Sequence, residues 1–243
     1  MARVELHVVE QGDGARVAVL LHGMMGSAES WWRVAPLLVE NGYRVLALDL
    51  PGHGSSPRDP ELTVERAAAA VVDAVALRTS ERPAVAIGHS FGGTVLAAAS
   101  RVLRPGLAVY VDAPFATRGG HDRAEVVGEY EQARRTRTVE VLRTSRPQYG
   151  ERDCEVEARA AERFDVATAA AVAAAPGGAW PPEPGSIVVR AAPSHYVTDE
   201  DAQALETRGI TVRGIPGAAH SVWYSHFDAF VGALPEVFAA HHA

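Results

Sequence analysis

The sequence predicts an α/β fold: a mostly parallel sheet with helices on both faces, interrupted by one helical insertion. Three observations carry this expectation. Short apolar, β-rich runs alternate with helical patterns, each run is stopped by glycine or by a Gly/Pro/Ser loop, and the rhythm breaks only once, between residues 115 and 183. Strands that alternate with helices need crossover connections, and crossovers join parallel strands whose two faces the helices cover.

The elements follow in order. Residues 3 to 9 alternate as a strand does, and "RVAVLLHG" (16 to 23) is an apolar run closed by glycine. "SAESWWRVAPLLVENG" opens with a capping pattern at Ser27 and Ser30 and closes on Asn41-Gly42, a helix stop. "YRVLALDL" (43 to 50) reads as a buried strand. The loop "PGHGSSPRDPE" and the helical pattern "LTVERAAAAVVDAVALRTS" come next. "PAVAIG" (83 to 88) is a strand, "GGTVLAAASRVL" a helix and "GLAVYVDAP" (106 to 114) another strand. Residues 115 to 183 are charged and helix-prone, with ten arginines from Arg118 to Arg163, and end in "PGGAWPPEPG". The alternation resumes with the strand "SIVVRAA" (186 to 192), a helix from Asp199, the strand "GITVRGI" (209 to 215) and a last helix from about Ser221 to Ala240. Residues 1–114 and 184–243 are therefore expected to form the core, and 115–183 a helical cap.

With 243 residues the chain suits one such domain plus an insertion. A net charge of −7 removes the electrostatic case for nucleic acid as a partner. All 23 basic residues are arginine, so no lysine can form a Schiff base. The single cysteine, Cys154, sits in acidic "ERDCEVE", which raises a thiol pKa and argues for an ordinary thiol. No stretch resembles a signal-peptide h-region or a membrane span of roughly 18 apolar residues, so the expected location is cytoplasmic, with no membrane partner.

The chemistry centres on "AVAIGHSFGGTVLAAAS" (84 to 100), where Ser90 stands in a Gly-x-Ser-x-Gly window. The motif alone is short enough to arise by chance and to serve only as a tight turn. Its context is informative: an apolar strand precedes it and a helix rich in small residues follows, the setting in which a sharp strand-to-helix turn exposes a nucleophilic Oγ. Such a turn also needs an oxyanion hole. One donor is the N–H of Phe91, and the other is expected from "LLHGMMGS", at Met24. His22 in that loop reads as a hydrogen-bonded packing histidine.

"HGMMGS", "DLPGHGSS", "GHSFGG" and "PGAAHS" resemble, in order and spacing, the four signature loops of the α/β-hydrolase superfamily. The resemblance covers residues 1–114 and 184–243 and places the 115–183 insertion where the family carries its cap. It implies a Ser-acid-His triad without cofactor or metal. A nucleophilic serine also argues against the epoxide hydrolases and dehalogenases of the fold, which use aspartate there.

The base is expected on the loop after the final strand, and of ten histidines His220 in "GIPGAAHSVWYS" meets that condition. The acid departs from the common pattern, because "SIVVRAA" continues into "PSHYVTDED" with Ser194 where an aspartate is usual. Asp199 and Asp201 lie beyond it but read as the first turn of a helix. Asp112 ends the strand "LAVYV", where ligand-facing residues of parallel sheets gather. Some α/β hydrolases, the zearalenone-type lactone hydrolases among them, supply the acid from this earlier strand. Asp112 is thus the expected acid, with Asp199 or Asp201 as the alternative.

Asp49, Gly52, His53 and Gly54 are expected to shape the floor of the site. "GDGARV" precedes a strand rather than following one, so it is no dinucleotide loop, and nothing has zinc-ligand spacing. Trp31, Phe115, Trp180 and Trp223 are expected to line a largely apolar pocket, and Arg118 to meet a substrate carboxylate. The reading is a serine hydrolase of a small-molecule carboxylic ester or lactone. Alternatives are thioester or carbon–carbon hydrolysis, a lyase or cyclase step on the same triad, or a ligand-binding protein with little turnover.

Overall fold

The computed structural model describes residues 5–239. Its strands are β1 (Val8–Gln11), β2 (Arg16–Leu21), β3 (Tyr43–Leu48), β4 (Val85–His89), β5 (Leu107–Val111), β6 (Ala116–Gly119), β7 (Pro176–Ala179), β8 (Ile187–Ala192) and β9 (Thr211–Pro216). Seven of them form one sheet in the order β1-β3-β2-β4-β5-β8-β9. Only β1 runs antiparallel to its neighbour. The expected α/β class is observed.

Period-two alternation divides the core between the two faces of this sheet. On β2, Val17, Val19 and Leu21 join one buried cluster, while Ala18 and Leu20 join the other. The first cluster is closed by helices α2 (Val64–Ala76) and α3 (Phe91–Leu103), which follow α1 (Val34–Glu40) along the chain. The second is closed by α1 and the C-terminal segment, where Trp31 and Trp223 stack at 4.4 Å. Both tryptophans are fully buried. Thr63 starts α2 by accepting the Arg66 N–H at 3.2 Å through its hydroxyl, which satisfies one otherwise orphaned donor.

The chain reverses direction across the sheet at β2, with β3 on one side and β4 on the other. At such a switch point the loops leaving the two strands diverge and open a crevice at their carboxyl ends. Here those loops are Gly23–Gly26 after β2 and Ser90 after β4. The floor of the crevice is pinned by Asp49. Its Oδ1 accepts the Ala28 N–H at 2.7 Å, and its Oδ2 accepts the Ser55 N–H at 2.9 Å and the His7 Nδ1–H at 2.8 Å. Burial opposes the charge on this carboxyl, but the Ala28 and Ser55 N–H donors and His7 outweigh it and hold its pKa below the usual value.

His22 joins the loops after β2 and β3. Its Nε2 accepts the Leu50 N–H at 3.0 Å, so Nδ1 carries the proton and donates to the Gly23 carbonyl at 2.8 Å. Burial keeps this ring neutral and its pKa lowered. His53 is also fully enclosed, and burial, helped by His22, lowers its pKa to about 3.

Between β5 and β8 the chain forms helices α4 (Arg123–Thr136), α5 (Val139–Ser145), α6 (Glu151–Glu162) and α7 (Val166–Ala174). The segment is not wholly helical: β6 and β7 pair antiparallel at its base. After β8 come α8 (Asp199–Thr207), α9 (Val222–Ser225), α10 (Phe227–Gly232) and α11 (Pro235–Phe238). The single helix expected from Ser221 to Ala240 is thus three short ones, and Ala240 itself lies outside the described residues. His226 leaves the helical region at φ −141° and ψ 60°, and Leu234, at φ −134°, precedes Pro235, whose ring disfavours helical geometry in the residue before it. The helix expected from Ser27 is likewise a short 3-10 turn, Ala28–Trp31, followed by α1. The first strand begins at Val8 rather than at residue 3; residues 3 and 4 lie outside the described residues.

Two outcomes follow. Gly92→Ala would improve helix propensity by about 1 kcal/mol, but its Cβ would meet the Leu21 carbonyl oxygen at 2.5 Å and the His22 carbonyl as well. Backbone cannot yield as a side chain does, so we expect a net loss of about 2 kcal/mol and a Tm lower by roughly 4–8 °C, read by calorimetry. For His53 the unfolded chain takes up a proton near pH 6.5 and the folded chain only near 3, so stability falls as pH drops through that window. Relative to the wild type, His53→Phe should lose about 2 kcal/mol less between pH 7 and pH 5 in denaturant titrations.

Candidate active site

Ser90 sits between β4 and α3 with φ 49° and ψ −121°, backbone that a side-chain-bearing residue adopts only under constraint. The constraint comes from its neighbours. A Cβ at Gly88 would lie 2.5 Å from the Gly92 carbonyl oxygen, and one at Gly93 would strike the Ala113 side chain. Glycine at these places lets α3 pass close enough to the sheet for the chain to turn within a single residue. The turn is then held by the Ser90 N–H donating to the Val111 carbonyl at 3.0 Å, and by the Gly93 N–H donating back to the Ser90 carbonyl at 2.9 Å.

Asp112 occupies the equivalent place after β5 and also has positive φ, 44°. Its N–H donates to the Val189 carbonyl at 2.8 Å, so the strand end is fixed against β8. The carboxylate is almost wholly buried and divides its oxygens: Oδ1 accepts the Ala191 N–H at 3.3 Å and Oδ2 lies 2.7 Å from His220 Nδ1. An ionised carboxylate only accepts, so Nδ1 of His220 carries the proton and Nε2 is the basic nitrogen.

His220 stands on the loop after β9. The Gly217 N–H donates to the Ala192 carbonyl at 3.0 Å, and the Ala219 N–H donates to Ser225 Oγ at 2.9 Å. His89 adds a third tie: its Nε2–H donates to the His220 carbonyl at 3.1 Å, and its ring meets Trp223 edge-on. Burial, with His220 beside it, pushes the His89 pKa well down, so this ring works as a neutral donor. On its outer side the His220 ring is covered by Tyr196, stacked at 4.2 Å.

Ser90, His220 and Met24 line one cavity of about 270 Å³. The Gly26 N–H donates to the Gly23 carbonyl at 2.9 Å and closes a turn through Met24 and Met25, the latter at φ 61°. Phe91 is the first residue of α3, so its N–H has no acceptor within the helix. The other wall comes from the segment between β5 and β8, with Tyr130, Arg137, Arg146 and Glu157. Glu157 is buried and takes both the Nε (3.0 Å) and Nη2 (2.8 Å) of Arg137.

Other expected site residues fall elsewhere. Asp199 pairs with Arg190 at the surface, and Asp201 caps α8 by accepting the Thr198 N–H at 2.9 Å. Of the expected pocket residues only Trp223 reaches this cavity. Trp31 is locked beneath it in the core. Arg118 is exposed on β6, Trp180 donates its indole N–H to Glu65 at 3.1 Å, and Phe115 lines a second cavity. The β6–β7 pairing holds these last three away from Ser90. Arg137 and Glu157 were hidden in a charge pattern that reads as a solvated surface. The one signal for Glu157 is its place on α6 in a 3–4 stripe with Cys154, Ala158 and Ala161, a face that proves buried. On the same face, burial and then Asp153 and Glu157 raise the Cys154 pKa, as its acidic neighbours suggest.

Among the described residues no group of three or more His, Cys, Asp or Glu is placed to hold a metal ion, and no helix is long and apolar enough to cross a membrane. A stretch of the chain is 38% identical over 95 residues to the bifunctional epoxide hydrolase 2 of Sus scrofa, covering 38% of this chain and 17% of that protein. Another is 38% identical over 97 residues to the pimeloyl-[acyl-carrier protein] methyl ester esterase of Methylococcus capsulatus, covering 40% and 35%. The chain thus spans about a third or less of the length of these relatives. In three dimensions it is similar to an N-formylmaleamic acid deformylase of Pseudomonas putida, with TM-score 0.76 and 20% identity over 95% of this chain and 96% of that one. A family model described as the alpha/beta hydrolase family matches residues 18–233, most of the chain, and the protein belongs to that family.

Proposed function

We propose that the protein is a serine hydrolase that cleaves a carboxylic ester or lactone through an acyl-enzyme on Ser90. The observation that carries this reading is the Asp112–His220 pair at 2.7 Å, opening into the same cavity as Ser90. His220 Nε2 takes the Ser90 proton as Oγ attacks the carbonyl carbon, while Asp112 holds the ring in its Nδ1–H form and stabilises the imidazolium. The N–H groups of Phe91 and Met24 receive the oxyanion. His220 then protonates the departing alkoxide and removes a proton from the water that releases the acid. The methyl ester esterase and the deformylase to which the chain is similar are named for hydrolytic reactions, which agrees with this chemistry. The stretch similar to an epoxide hydrolase covers 38% of the chain, about as much as the 40% similar to the methyl ester esterase, so Ser90 rather than either likeness supports the ester reading. In this reading segment 115–183 is the cap, and its wall of Arg137, Glu157 and Tyr130 shapes what reaches the serine.

Chromogenic short-chain esters test the reaction. Ser90→Ala should remove turnover and labelling by a fluorophosphonate, whereas tight ligand binding by a wild-type protein that neither turns over esters nor labels would sink the proposal. A second pair of variants tests the acid. Asp112→Asn should lower kcat by about ten-thousandfold through loss of the correct tautomer, while Asp199→Asn should stay within a few-fold. Equal losses in the two would overturn the assignment.

A further inference from the structure

Tyr196 borders two cavities at once. On one side it lines the space of about 270 Å³ that holds Ser90 and His220; on the other it lines a hollow of about 490 Å³ behind the loop that follows β8. The second hollow is largely apolar, with Phe115, Ala179, Pro181, Val197 and Leu205 among its walls. Tyr196 is the one lining residue the two share, and its ring, 45% exposed, stacks on His220 at 4.2 Å and 26°.

The loop that carries this ring is held from both ends. Ser194 Oγ accepts the Tyr196 N–H at 2.9 Å and the Val197 N–H at 3.0 Å, a local turn that a hydroxyl makes and a leucine or alanine could not. Val197 is buried, and its carbonyl accepts Arg190 Nη1 at 3.1 Å. The backbone on either side of Tyr196 is therefore fixed. Stacking on an imidazole restricts the ring further, since aromatic pairs favour such offset contact. The position that would carry an acid in the commoner arrangement here helps to hold an aromatic wall.

A space of about 270 Å³ is at the small end of ligand pockets, so a chain reaching beyond it must find further room. The apolar hollow could supply that room, and Tyr196 blocks the way. We propose that Tyr196 is the residue that sets substrate size, restricting the site to esters of short acyl chains by walling off the apolar hollow. This inference rests on the serine-hydrolase reading above.

The test is a chain-length series of p-nitrophenyl acetate, butyrate and octanoate, with kcat/KM measured for the wild type, Tyr196→Ala and Tyr196→Phe. The wild type should fall at least tenfold from butyrate to octanoate. Each methylene that gains a buried apolar surround is worth about fourfold, so Tyr196→Ala should raise the octanoate-to-butyrate ratio tenfold or more. Tyr196→Phe, which keeps the ring, should keep the wild-type ratio. Adding Leu205→Trp to Tyr196→Ala should fill the hollow and cancel the gain, a response that mere loosening of the loop would not give. Tyr196→Leu repeats the comparison if the alanine variant does not fold.

Wild-type turnover of octanoate as fast as butyrate, or equal ratios in the alanine and phenylalanine variants, would overturn the inference. Rates of Ser90 labelling by short- and long-alkyl fluorophosphonates separate this outcome from failure of the esterase reading. Size-selective labelling without ester turnover would remove the esterase and leave the wall. Ester turnover at Ser90 without size selectivity would do the reverse, and absence of both would overturn both.

Discussion

The structure depends on how closely α3 approaches the sheet. Gly88, Gly92 and Gly93 leave no room for a methyl group between helix and strands, and Ser90 takes its positive φ because the chain must turn inside that gap. Strain of this kind persists only when the surroundings over-determine it. They do so here: the Ser90 N–H is bound by β5, the Gly93 and Thr94 N–H groups return to the Ser90 carbonyl, and the Gly92 backbone rests on that of Leu21 and His22. The same contact brings the loop after β2 beside the start of α3, so the two backbone segments that can face a substrate oxygen are positioned by one packing event.

Around that contact the protein keeps several buried rings neutral and uses them as fixed donors. His22 bridges the loops after β2 and β3, and His89 ties the His220 loop to β4. Burial lowers the pKa of each ring and outweighs the carbonyl hydrogen bond, which on its own would raise it. His220 differs from these two in meeting a buried carboxylate, Asp112, as the more exposed His7 meets Asp49. In the reaction proposed above, His22 and His89 hold position while His220 acts as the base, a division set by partner and burial rather than by residue type.

Much of this is readable from residue order. Apolar runs closed by glycine give the strands because each must be buried on both faces, whereas the resemblance to the α/β-hydrolase loops is what points to His220 and to Asp112, with Asp199 or Asp201 open beside it. What could not be read has identifiable physical causes. The C-terminal helix breaks at His226 and Pro235, where tertiary packing and the residue before proline override the 3.6-residue pattern. The cavity wall made by Arg137 and Glu157 depends on how α4 through α6 fold back, and in sequence a buried ion pair looks like any exposed one. The expected aromatics went astray for a related reason: nothing local announces that β6 and β7 pair and draw Phe115 and Trp180 away. Tyr196 gives no periodic signal at all, because it sits on a loop.

Ser90 and Asp112 are each fastened through their own backbone N–H to the next strand, at Val111 and Val189. Their separation is thus a property of three neighbouring strands in register, and the loop after β8 takes no part in it. That loop can lengthen, shorten or exchange side chains while nucleophile and carboxylate keep their spacing. With Asp112 as the proposed acid, the loop after β8 bears on the site through the ring it stacks on His220 and not through the spacing of Ser90 and Asp112.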